Sequence, residues 1–132
     1  MTREVATLLH GVHVLVLCDD TERCELFKQA IEYCGAFTTA VESTARALRV
    51  MERLQVNALV VDLPSADRLA CIAMVRAAPR EVGGAVPALA LSGVFEDREP
   101  LLAAGFQEHL TMPVRGAELC AMLATLLKTT PR

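Results

Sequence analysis

The 132-residue sequence contains no tryptophan, one tyrosine and four phenylalanines, an aromatic share of 4%. Its Lys and Arg residues are scattered rather than clustered. The basic, aromatic-rich surface that binds nucleic acid is therefore missing. No CxxC pair occurs, and Cys18, Cys24, Cys34, Cys71 and Cys120 match no zinc spacing. An odd cysteine count without a secretory signal implies free thiols in a reducing cytoplasm. No apolar run approaches the roughly 18 residues of a membrane span. There is no G-x-S-x-G, and His10, His13 and His109 form no motif, which disfavours a hydrolase. The turn Cys18-Asp-Asp-Thr-Glu22 has no glycine and carries acids, which disfavours a glycine-rich phosphate cradle.

What remains is a globular composition. The hydrophobic fraction is 53%, the charged fraction 22%, the net charge -3, and the mean hydropathy +0.37. This length suits one domain with a sizeable core. Residues 1–10 read as a leader or linker, 11–128 as the domain, and 129–132 as a tail. Short β-branched and apolar runs predict strands at His13–Cys18, Ala36–Val41, Ala58–Asp62, Pro87–Ser92 and Glu108–Thr111.

Helices are expected between and after the strands. The first runs from about Glu22 to Cys34, capped by Asp20 or Thr21 and ended by Gly35. Leu26, Ile31 and Tyr33 are expected on its apolar side. The second starts at Ser43 or Thr44, with Ala47, Leu48, Met51 and Leu54 on one stripe. The third runs from Arg68 to Ala78, capped by Asp67 and stopped by Pro79. The fourth covers about Asp97–Ala104, with Pro100 in its first turn. The last runs from Gly116 or Ala117 to Leu127, with Leu119, Met122, Leu123 and Leu126 inward. Such alternation implies an α/β doubly wound parallel sheet with helices on both faces. Asp19, Asp20, Asp62, Ser92 and Met112 then fall at or just past strand C-termini, where open α/β sheets bind ligands.

Four stretches, in order, carry a resemblance: Val14-Leu-Val-Leu-Cys-Asp-Asp20, Ala58-Leu-Val-Val-Asp-Leu-Pro64, Pro87-Ala-Leu-Ala-Leu-Ser-Gly93 and Ala103-Ala-Gly-Phe-Gln-Glu-His-Leu-Thr-Met-Pro113. Over residues 11–128 the chain resembles the receiver domain of two-component response regulators (CheY-like), and is most similar to receivers of hybrid sensor histidine kinases. Leu8-Leu-His-Gly11 is similar to the lead-in of such kinases, which favours a chain excised from a longer one. The resemblance implies a (βα)5 flavodoxin-like sheet of order 2-1-3-4-5. It implies Asp62 as phospho-acceptor and Ser92 as switch hydroxyl, with Mg²⁺ on Asp19, Asp62 and the Pro64 carbonyl. It also implies a cis peptide before Pro113. No substrate turnover beyond self-phosphorylation on Asp62 is implied.

The chain departs from the family on the active-site side. Cys18 stands where the first of two acids is usual, and a neutral thiol is a poor ligand for a hard cation. Asp20 falls one position too far for direct ligation. Met112 replaces the lysine of the Lys-Pro pair and carries no charge. That removes a charge-assisted contact of roughly 1.5–3 kcal/mol. His109 takes the place of the switch aromatic, and the usual Asp-Gly opening the third helix reads Asp67-Arg68. The loops after Asp62 and Ser92 are each about two residues short. The expectation is a degenerate, or pseudo-, receiver with an anion cradle that has lost positive charge and holds Mg²⁺ only weakly. It would act in the cytoplasm through the face of helix 4, strand 5 and helix 5. Its partner would be a histidine kinase, an output domain or a second copy. The alternative is a working acceptor that takes a phosphoryl group from a histidine kinase onto Asp62.

Overall fold

The five apolar runs pair edge to edge. The computed structural model describes residues 7–93 and 96–129. Within them, β1 (His13–Cys18), β2 (Phe37–Val41), β3 (Ala58–Asp62), β4 (Ala88–Ser92) and β5 (Glu108–Thr111) form one sheet of order β2-β1-β3-β4-β5. All pairings are parallel. This is the expected doubly wound architecture. The helices are α1 (Thr21–Tyr33), α2 (Thr44–Arg53), α3 (Ser65–Ala77), α4 (Arg98–Ala104) and α5 (Gly116–Thr129), with a 3-10 turn at Arg80–Val82.

Side-chain alternation along the strands divides the core into two layers. Val14, Val16, Val60, Leu89 and Leu91 pack with Phe27, Ile31, Leu119 and Leu123. Leu15, Leu17, Leu59, Val61 and Ala90 pack on the other face with Met51, Ile72, Val75 and Phe106. Both faces are covered, so the central strands need no polar alternation.

Several sequence expectations shift. On α1 the buried residues are Cys24, Phe27 and Ile31, whereas Leu26 and Tyr33 are 64% and 53% exposed. The i, i+3, i+7 spacing of the buried set defines the inward stripe, and Leu26 and Tyr33 lie off it. Leu54 ends α2 in extended conformation and is exposed, so the stripe stops at Met51. Asp67 does not cap α3. Pro64 holds the N-cap position, the helix begins at Ser65, and Asp67 sits in the first turn. Asp20 and Ser43 do cap α1 and α2, accepting from Arg23 N and Arg46 N at 2.9 and 3.2 Å. Leu9, ahead of β1, is buried and its N–H donates to Cys34 O at 2.8 Å. The expected leader otherwise lies outside the described residues for 1–6, as does the tail for 130–132.

A half-buried arginine closes the bottom of the sheet. Arg76 of α3 donates to Gly105 O through Nε and Nη2 at 3.0 and 2.8 Å, to Gly84 O at 3.1 Å and to Gln107 Oε1 at 2.9 Å. Gln107 Oε1 in turn accepts from Ala88 N at 2.7 Å. This network ties the end of α4 to β4 and the turn after α3. Arg76→Ala strands those acceptors and is expected to cost about 2–3 kcal/mol, read from urea unfolding.

All five cysteines are free and buried. Burial first, and then the nearby Asp62 carboxylate, push the Cys18 thiol up to about 12. Below pH 9 the folded and unfolded chains both hold this proton. Above it the unfolded chain releases a proton that the folded chain keeps, so stability falls as pH rises from about 9 toward 12. Cys18→Ala is expected to flatten the alkaline slope of unfolding free energy by about one proton, or about 1.4 kcal/mol per pH unit. Equal slopes would contradict the shift.

Candidate functional site

Parallel pairing sets the C-terminal ends of the strands in register. Cys18 lies opposite Asp62, and Ser92 opposite Thr111. Asp62 ends β3 and is 7% exposed, and Ser92 ends β4 and is 1% exposed. A cavity of about 250 Å³ opens there, lined by Asp19, Asp62, Ser92 and Met112, as the sequence placed them, and also by Arg23, Arg68 and Glu96. His109 is on β5 beside Ala90, outside that lining, and its Nδ1 is buried without a hydrogen-bond partner among the described residues. Asp20 caps α1 rather than lining the cavity. The Met112–Pro113 peptide is cis, as the resemblance implies.

Asp62 is not a free carboxylate. Its Oδ2 accepts from Arg23 Nε at 2.8 Å and from the Cys18 thiol at 3.3 Å. The same thiol reaches Asp20 O at 3.4 Å. Its raised pKa keeps it protonated at neutral pH, so it acts as a donor to Asp62 and not as an anionic ligand. Arg23 also faces Asp19 Oδ1 from Nη2 at 3.4 Å and Asp20 Oδ2 from Nη1 at 3.6 Å. Its bond to Asp62 is the main cause that holds its guanidinium above the ordinary arginine range.

A second guanidinium lies deeper. Arg68 of α3 is 2% exposed. Its Nη1 donates to Leu63 O at 3.0 Å and Leu91 O at 3.1 Å, bridging the ends of β3 and β4. Its Nη2 is ion-paired with Glu96. Glu96 Oε1 also accepts from Gly93 N at 2.9 Å. Burial lowers the Arg68 pKa, and the negative charge of Asp62 opposes that shift. Ser92 Oγ is buried with no hydrogen-bond partner among the described residues.

The expected loss of positive charge is therefore corrected. Met112 is apolar and half-buried against the core, but two arginines occupy the cavity. Their signals were in the sequence. Arg23 is three and four residues after Asp20 and Asp19, the spacing of ion pairs on a helix. Arg68 is at i, i+3, i+4 and i+7 with Cys71, Ile72 and Val75, so it shares the inward stripe of α3.

The donors expected to hold Mg²⁺ do not fit it as they stand. Asp19 and Asp62 converge on a guanidinium, and Cys18 offers a protonated sulfur. The Pro64 carbonyl accepts the Arg68 N–H at 2.8 Å as part of α3. Among the described residues, no group of three His, Cys, Asp or Glu side chains is placed to hold a metal ion. A hard cation requires several open oxygen ligands.

No family model matches the chain. A curated relative, an uncharacterized 14.6 kDa protein of the sodA1 3′ region in Leptolyngbya boryana, is 34% identical over 119 residues, 87% of this chain and 89% of that one. Among solved structures, the receiver domain of a Pseudomonas aeruginosa sensor histidine kinase, with a magnesium ion in its active-site cleft, is 28% identical. The match has a TM-score of 0.77 and covers 90% of this chain and 99% of that one. A CheY-like receiver domain from Methylobacillus flagellatus is 25% identical, with a TM-score of 0.73, over 87% and 98% of the two chains. Fold and strand order agree with these likenesses: the chain has the CheY-like fold of the response regulator receiver domains.

Proposed function

We propose that this receiver is impaired in metal-dependent phosphoryl transfer to Asp62 and signals by binding a protein partner. The observation that carries the reading is the Asp62 carboxylate itself, tied to Arg23 at 2.8 Å and to the Cys18 thiol at 3.3 Å. The guanidinium and the thiol both occupy Oδ2, so one of the two carboxylate oxygens is engaged and is not open to phosphorus or to a metal ion. Phosphoryl transfer also needs positive charge to offset the phosphoryl oxygens as they approach. Met112 supplies none, and Arg68 is already neutralised by Glu96.

The partner surface in this reading is the face of α4, β5 and α5. Arg98 of α4 and Glu108 of β5 join across it through two parallel bonds of 3.0 and 2.9 Å. That fork fixes α4 against the sheet edge without reference to the cavity. A histidine kinase or an output domain of a two-component pathway is the partner class, and the cytoplasm the setting. Among the described residues no helix is long and apolar enough to cross a membrane.

The competing reading, a working acceptor, draws on Asp62 and the unpartnered Ser92 hydroxyl at the ends of neighbouring strands. Incubation with a small phosphodonor and Mg²⁺, followed by intact mass, decides between them. No covalent adduct is expected on the intact chain. A stoichiometric phosphoryl gain that disappears in Asp62→Ala would contradict the proposal.

A further inference from the structure

The guanidinium of Arg23 lies among three carboxylates at this end of the sheet. Nε donates to Asp62 Oδ2 at 2.8 Å, Nη2 to Asp19 Oδ1 at 3.4 Å, and Nη1 stands 3.6 Å from Asp20 Oδ2. Each carboxylate faces a different nitrogen, so a positive charge already stands among them. Two of the acids belong to the loop that opens α1 and the third to the end of β3. One side chain thus ties the first strand–helix turn to the third strand.

We propose that Arg23 is a resident cation of this receiver, standing in the place of a divalent ion and keeping that ion out. The inference deepens the reading of an impaired receiver and rests on it. Its chemistry is simple. Three carboxylates left alone would repel one another and would attract a hard dication. An arginine cannot lose its proton at any ordinary pH, so it permanently offsets one of their three charges. A dication entering the cluster would have to displace the guanidinium and overcome its repulsion. The local spacing favours the contact: Asp19 and Asp20 precede Arg23 by four and three residues at the entry of α1, within reach of its side chain. The neighbouring Cys18 thiol completes the arrangement, since its bond to Asp62 fills a position from which a third acid would bind metal.

The proposal says that removing this one charge opens a cation site. Mn²⁺ is the probe, read by paramagnetic broadening of the amide signals around Asp19, Asp62 and Leu63. Arg23→Gln is expected to show broadening at Mn²⁺ concentrations at least about tenfold lower than the intact chain requires. Mg²⁺ should also raise the Tm of Arg23→Gln while leaving the Tm of the intact chain unchanged. Arg23→Lys keeps the charge and should behave as the intact chain does. Equal metal binding by the intact chain and Arg23→Gln would overturn the proposal, as would the absence of any gain in Arg23→Gln. Metal gain in Arg23→Lys equal to that in Arg23→Gln would also overturn it, because charge would then not be the cause. These titrations use no phosphodonor. An adduct on the intact chain would sink the functional reading alone, and a failed metal gain would sink only the resident-cation account.

Discussion

The contact between Arg23 and Asp62 organises the functional end of this molecule. Asp62 is nearly buried at the end of a central strand, where an ionised carboxylate needs a partner. The partner is a guanidinium from the first turn of α1, half open to water. Because it is partly exposed, the pair is stabilising only modestly through its charge. Its larger consequence is geometric. It holds the loop of Asp19 and Asp20 against the end of β3, and it engages one of the two oxygens of the Asp62 carboxylate.

The same logic recurs one strand over. Arg68 is buried and would be costly there without partners. Two strand-end carbonyls and the Glu96 carboxylate supply them. The cavity thus contains two cations, each already paired with an acid of the same chain. A receiver that binds a phosphoryl group needs free positive charge; here the charge is present but spoken for. Degeneracy in this reading is not simple erosion. In the proposed reading Cys18 and Met112 stand where the resemblance implies a ligand and a cation, and Arg23 and Arg68 place charge elsewhere in the same space.

The sheet was readable from the pattern of the sequence. Ala58–Asp62 begins and ends where expected, because a strand covered on both faces leaves an unbroken apolar signature, and the half-buried edge strand Glu108–Thr111 has its expected bounds as well. Asp62, Ser92 and Met112 were likewise placed correctly, since each follows directly from where its strand ends or from the turn just after it. The helix faces were harder. Leu26 and Tyr33 are apolar by type but off the stripe of α1, and the polar-looking Cys24 is on it. The start of α3 was misplaced because Asp67 is a good cap by type, while Pro64 with its fixed φ of -54° had already set the helix entry. Arg68 was read only as the residue after Asp67, because a charged side chain is not expected on an inward stripe, although it shares one with Cys71, Ile72 and Val75. Glu96 is held locally by Gly93, but its pairing with Arg68 is a tertiary contact across the cavity.

The central claim is that the charges of the cavity are coupled internally, Arg23 to Asp62 first among them. A double-mutant cycle with Arg23→Gln and Asp62→Asn, read from urea unfolding at low salt, measures that coupling. The account predicts an interaction free energy on the order of 1 kcal/mol, falling as salt is added. Additivity of the two substitutions to within about 0.3–0.5 kcal/mol would contradict it.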